Sequence, residues 1–209
     1  MYQHLQQSIN TIMPFLVRAD LKEYPDGAFV FNPLGTGRLL KKIAEDLASV
    51  YIFTDDDKLV IADKELITSC NLSAEDLDGI AEQNIVKLFQ RQQELKNDII
   101  TGGPLYSIRL NNRNEASCML SSLIRTTISD RHKDHIFVSV PKYNEIHYCT
   151  LKGNALPALI SYTISTYNNS GNAALSPNIY LYHNGSWVMF DKGYQQIIEY
   201  CTVHKLPYF

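Results

Sequence analysis

The chain has 209 residues, 45% of them apolar and 20% charged, with a net charge of −3. That is the profile of a globular protein long enough to bury a core without disulfide or metal staples. No basic run exceeds two residues and no apolar stretch approaches the ~20 residues of a membrane helix, so neither nucleic acid nor a membrane is an expected partner.

The opening stretch MYQHLQQSINTIMPFLV lacks a basic region followed by an apolar run, so no signal peptide is expected and the cytoplasm is the expected compartment. Cys70, Cys118, Cys149 and Cys201 are widely spaced with no Cys-x-x-Cys pair, and they read as small buried apolar residues rather than ligands or nucleophiles. No cofactor and no metal are expected.

In chain order, Leu5, Ile9, Ile12 and Met13 recur at helical spacing and predict a helix over 2–13, stopped by Pro14. Ala28 to Asn32 reads as a buried strand ending at Pro33. Gly35-Thr36-Gly37 lacks the rest of a phosphate loop and reads as a turn, with Thr36 capping a helix that runs to about Ser49. Leu40, Ile43, Leu47 and Val50 form the apolar face of that helix. Val50–Phe53 and Leu59–Ile61 predict a hairpin around Thr54-Asp55-Asp56-Asp57, a turn without the alternation or the final Glu of a calcium loop. A short helix follows over 63–71.

Ser73 caps the clearest helix, whose stripe is Leu77, Ile80, Ala81, Ile85, Leu88 and Leu95. Asn84 lies on that stripe and is expected to satisfy a nearby backbone group. Residues 96–104 read as a loop and Leu105–Leu110 as a half-buried strand. Then comes Asn111-Asn112-Arg113-Asn114-Glu115-Ala116-Ser117-Cys118-Met119-Leu120, a polar turn running into an amphipathic helix that continues to Ile128. Glu115 falls in the first turn of that helix, where a negative charge offsets the dipole by ~0.3–1 kcal/mol, so a structural role is expected for it.

Ile136–Val140 and Glu145–Leu151 predict a second hairpin around Pro141-Lys142-Tyr143-Asn144, with His147 at the edge of the core or on the surface. A helix is predicted over 154–167 with Pro157 in its first turn, then a loop over 168–178. Ile179–Tyr182 and Trp187–Phe190 flank His183-Asn184-Gly185-Ser186, and Asn-Gly is the strongest short hairpin signal. A helix near 194–203 closes the chain. These elements predict an α+β fold, with a mixed or antiparallel sheet of hairpins packed against several amphipathic helices. The expected organisation is one domain over 1–209, with 170–209 as a C-terminal hairpin-plus-helix addition.

Three blocks carry a family resemblance: LVIADKELITSCNLSAEDLDGIAEQNI, LYSIRLNNRNEASCMLSSLI and HIFVSVPKYNEIHYCTL. Together they cover about residues 50–165, and there the chain resembles the YtpQ-like family of uncharacterised bacterial proteins. The resemblance implies an α+β fold and a bacterial cytoplasmic setting, and it transfers no catalytic residue. The segment after 170 departs from the pattern.

The function expected from the sequence is non-catalytic: a protein-binding module, in sharper form a bacterial immunity protein that occludes a cognate toxin domain. Nucleophile elbow, phosphate loop, zinc spacing and dinucleotide fingerprint are all missing from the sequence. Acids at Asp55, Asp56 and Asp57 and at Glu75, Asp76 and Asp78 are suited to steering a basic partner. Tyr180, Tyr182 and Trp187 are the expected aromatic anchors. The alternative is an enzyme with a site assembled around Glu115 with Ser117, His135 and His147, which demands that these groups meet within hydrogen-bond reach. A third reading makes the aromatic face a contact between copies of the chain.

Overall fold

The computed structural model describes residues 11–19, 29–30, 41–55, 58–62, 68–91, 95–100, 103–110, 114–151, 155–191 and 193–206. Among them the strands form two sheets, of five and six strands. The first contains β1 (Met13–Arg18), β2 (Phe29–Val30), β3 (Lys41–Lys42), β4 (Leu47–Asp55) and β5 (Lys58–Ile61). β4 is its spine, with β1 antiparallel along one edge and β3 and β5 antiparallel along the other. Only the β2–β5 pair is parallel among the described strands.

The second sheet is wholly antiparallel. It is built from β6 (Leu95–Ile100), β7 (Gly103–Ile108), β8 (Ile136–Lys142), β9 (Glu145–Thr150), β10 (Ile179–His183) and β11 (Ser186–Phe190). Their order across the sheet is β11-β10-β8-β9-β7-β6. The helices are α1 (Ala74–Arg91), α2 (Ser122–His132), α3 (Leu156–Asn169) and α4 (Tyr194–Val203), with a 3-10 helix at Glu115–Leu120. This is an α+β fold of hairpins packed against amphipathic helices, as the sequence predicts. No described helix is long and apolar enough to cross a membrane.

The second sheet is the middle layer, and the alternation of its strands divides the core. Val138, Val140, Ile146, Tyr148 and Tyr180 face the first sheet, α1 and α2. Phe137, Cys149, Ile179 and Leu181 face Leu156 and Leu159 of α3 and Ile197 and Cys201 of α4. Cys118, Cys149 and Cys201 are buried free thiols and Cys70 is half-buried, so the three buried ones fill space as expected. Burial pushes the Cys149 thiol up to about 12, far from reactive.

Local chemistry explains several elements. Ser73 Oγ accepts from the Asp76 amide at 3.1 Å while Asp76 accepts from the Ser73 amide at 2.9 Å, a reciprocal cap for α1. Leu77, Ala81 and Ile85 are its buried stripe, and Asn84 donates to the Ile12 carbonyl at 2.8 Å. Pro157 lies in the first turn of α3.

The structure corrects four sequence expectations. Residues 1–10 of the predicted first helix lie outside the described residues, but Met13 opens a strand, not a helix end. The helix predicted up to Ser49 is replaced, from residue 41 onward, by β3, a bend at 44–46 and β4. Leu47 to Phe53 is apolar except for Ser49 and buried on both faces, and such a run fits a strand whatever its three- and four-residue spacing suggests. The loop predicted over 96–104 contains most of the β6–β7 hairpin, and α1 ends at Arg91, before Leu95. In the sequence Lys96 and Asp98 interrupt any apolar alternation there and hide the strand signal. Finally, the amphipathic helix beginning at Glu115 is broken at Ser121, which leaves helical geometry at φ −78° and ψ 123° and accepts from the Ile124 amide at 3.2 Å to cap α2.

Candidate functional site

A cleft of about 510 Å³ opens between the two sheets. Its floor and walls come from β3 and β4, from α1, from the end of the 3-10 helix with the start of α2, and from the β10–β11 hairpin. The hairpin turn is Asn184-Gly185, with φ of 50° and 81°. Two successive positive φ values define the tight turn that matches strand twist, which is why Asn-Gly sits there. The turn sets Tyr182 directly opposite Trp187, with ring centroids 5.2 Å apart and edge to face.

Arg125 of α2 reaches this pair. Its guanidinium carbon lies 4.1 Å from the Tyr182 ring centroid and 5.5 Å from that of Trp187. One Nη donates to the carbonyls of Met119 at 2.9 Å and Leu120 at 3.1 Å, at the end of the 3-10 helix where a cation is favoured. Among the described residues no carboxylate lies within ion-pair distance of Arg125.

The acids of the cleft are engaged elsewhere. Asp78 pairs with Lys41 at 3.3 Å and accepts a short hydrogen bond from Tyr51, whose phenol is pushed well up by burial and by that carboxylate. Glu82 Oε1 accepts from Ser122 Oγ at 2.7 Å, Ser121 Oγ at 3.1 Å and the Leu123 amide at 3.2 Å, at the N-terminus of α2. Burial alone would raise its pKa, but these donors hold it below the usual carboxylate range. The lining thus carries Lys41, Lys42 and Arg125 against Asp78 and Glu82, one positive charge in excess, with Glu82 attracting Arg125 from beyond ion-pair distance.

Of the six expected partner-binding residues, the structure brings Tyr182 and Trp187 together at the cleft. Tyr182 is 37% exposed and Trp187 half-buried. Tyr180 is on the same face of β10 but is 0% exposed, with its hydroxyl bound to Asp46 and Ser176, so it is a core residue and not an anchor offered to a partner. Asp55 ends β4, in backbone register with Lys58 of β5, while Asp56 and Asp57 lie outside the described residues. Sequence reasoning missed Arg125. A single arginine on the polar side of an amphipathic helix carries no local signal, and only the hairpin arriving from residues 179–190 gives it a role.

The groups of the enzyme alternative are held in separate networks. Glu115 is buried, and its Oε1 accepts from the Leu110 amide at 3.1 Å. Ser117 Oγ accepts from the Leu16 amide at 3.0 Å and donates a short hydrogen bond to Asn114, whose Nδ2 donates to the Pro14 carbonyl at 3.2 Å. Two side chains thus take the place of a neighbouring strand along the outer edge of β1. His135 lies beside His183, with ring centroids 5.9 Å apart. His147 instead meets Glu145 at 3.3 Å and the Tyr162 ring at 4.5 Å, on the α3 side of the second sheet. Despite partial burial, Glu145 titrates at about 2, held down by hydrogen bonds from His147 and Lys142. Among the described residues no three of His, Cys, Asp and Glu are placed to hold a metal ion.

These networks set an expected order of effects. Ser117→Ala should cost about 1–3 kcal/mol, because it strips a buried amide and a buried amide oxygen of one partner. Glu115→Gln keeps an acceptor for the Leu110 amide and should cost at most ~1 kcal/mol. Urea unfolding midpoints at equal m-values would check the order. A larger loss for Glu115→Gln would show that its charge, and not only its acceptor, is used.

Comparison with protein-family models, with curated proteins and with solved structures finds no match to the chain.

Proposed function

We propose that this protein is a non-catalytic binding protein that covers a protein partner, in its sharper form a bacterial immunity protein that works in the cytoplasm and occludes a cognate toxin. The observation that carries the reading is the rim formed by Tyr182, Trp187 and Arg125 at the mouth of the cleft. Tyr, Trp and Arg are enriched among the residues that dominate the energetics of protein contacts, and Tyr and Trp bury large rigid surfaces at little entropic cost. Here the three are already stacked on one another and carried by a tight hairpin, so little order remains to be imposed on binding. The acidic turn beginning at Asp55 would act earlier, in the encounter, and its effect would fade with salt. The catalytic alternative has less support, because Glu115 and Ser117 are occupied with backbone groups and His147 lies on another face.

The test is surface plasmon resonance on the partner recovered from the native host, with circular dichroism as the folding control. Tyr182→Ala or Trp187→Ala should speed dissociation by roughly thirtyfold, which corresponds to an anchor of ~2 kcal/mol. Asp55, Asp56 and Asp57 changed together to Asn should slow association and flatten its salt dependence. Unchanged kinetics in both sets of folded variants would refute the assigned surface. Turnover of a small molecule with no protein partner recovered would refute the binding reading itself.

A further inference from the structure

A second cavity, of about 370 Å³, lies beneath α2 against the second sheet. That volume falls in the ~300–1,000 Å³ range of small-molecule sites. Ile124 and Ile128 of α2 roof it, and Ile108, Val138 and Ile146 line the sheet side. Polar side chains, Asp130 and His135 among them, also line it, and two of the polar groups hold a buried atom with no hydrogen-bond partner among the described residues.

The first is Tyr148, which is 1% exposed, and whose hydroxyl is buried with no hydrogen-bond partner among the described residues. A buried hydroxyl without a partner costs its full desolvation, so a native structure that keeps one calls for a reason. Its ring is stacked on Tyr106 at 5.1 Å and abutted by His132 at 5.8 Å, which fixes where the hydroxyl sits. The second group is Arg125, shared with the cleft. It is half-buried and its Nη is held by two carbonyls, but its Nε is buried and unpartnered among the described residues, and the nearest compensating charge there, Glu82, lies beyond ion-pair distance. A cation so placed favours an anion, since a charge-assisted hydrogen bond offsets the cost of removing it from water.

We infer that this cavity binds an amphipathic carboxylate, with its apolar body among Ile108, Ile124, Ile128, Val138 and Ile146, an oxygen at its far end accepting from Tyr148, and its carboxylate meeting Arg125. The inference does not depend on the protein partner. An apolar molecule alone would leave both buried polar atoms unmatched, and Arg125 places the anionic end at its own end of the cavity, with Asp130 elsewhere in the lining.

Trp187 is the only tryptophan of the chain and lines the cavity, so its fluorescence reports occupancy. The probes are 10-hydroxydecanoate, decanoate and 1-decanol, each titrated below its micelle or solubility limit. Expected is a saturable change in which 10-hydroxydecanoate binds roughly fivefold to tenfold more tightly than decanoate, and 1-decanol more weakly than either. Tyr148→Phe should fold with undiminished stability, because the hydroxyl it removes has no partner, and should bind the two acids equally. Arg125→Met should lose the preference for acid over alcohol. If that variant does not fold, the Tyr148→Phe comparison decides alone. No saturable change with any probe, equal binding of all three, or a preference for the hydroxy acid that survives Tyr148→Phe would overturn the inference.

Discussion

Asp46→Ala should lower the unfolding free energy by about 3–5 kcal/mol, the largest loss expected from removing any one polar side chain described above. Asp46 sits in the bend between β3 and β4, half-buried, and accepts from three donors of the second sheet and the segment leading to it. Tyr180 donates at 2.7 Å, Ser176 Oγ at 2.6 Å and Asn178 Nδ2 at 3.0 Å. Tyr180 and Ser176 are both 0% exposed, so water cannot replace the carboxylate without local opening. Tyr180 keeps Ser176 as a partner at 2.5 Å, which sets a ceiling on the loss. Each charge-assisted bond is worth ~1.5–3 kcal/mol and the three are not additive, hence the range. Asp46→Asn keeps one acceptor oxygen and should cost about half as much. Denaturant titration followed by far-UV circular dichroism would measure both; a loss below ~1 kcal/mol for the alanine variant would show that the network does not join the sheets.

Phe137→Ala should cost a similar ~3–5 kcal/mol by an unrelated route. Phe137 lies on β8 at the centre of the second sheet, 0% exposed, in the core shared with α3 and α4. Its ring centroid is 6.3 Å from that of Phe190, tilted by 58°. Truncation opens a void between sheet and helices that neighbouring strands, held by their ladders, cannot collapse to fill. Phe137→Leu refills part of the volume and should recover more than half of the loss. Thermal unfolding of the two variants would separate the cavity contribution from the loss of an aromatic pair, and equal losses would assign the effect to the ring.

What was legible in the sequence was whatever is written locally. The β4–β5, β8–β9 and β10–β11 hairpins were readable because turn residues such as Asn184-Gly185 separate short β-rich runs. The α1 and α4 helices were readable from apolar spacing, and α1 also from its Ser73 cap. The strand β1 was not, because Pro14 reads as a stop. Its missing N–H falls on the side away from β4, where no ladder bond is required, so the strand accepts it. The polar approach to Glu115 was read as a helix entrance, which is true of Glu115 itself. That Asn114 and Ser117 also hold β1 has no local signature, since their targets lie about a hundred residues earlier. At the cleft, Tyr182 and Trp187 were visible as aromatics on a hairpin, whereas Arg125 gains its place only from the tertiary fold.

The span of that Asn114–Ser117 attachment has a kinetic side. β1 finds its ladder partner β4 within a few dozen residues, but the side chains that close its outer edge are 100 and 101 positions away from their targets. During synthesis at ~5–20 residues per second, the edge is therefore open for roughly 5–20 s after β1 emerges. Closing so long a loop is also slow in refolding, because its entropy is spent before the contact repays it. The moment of greatest exposure to strand-swapping and aggregation thus comes early in the life of the chain, and it ends when the segment around Asn114 docks.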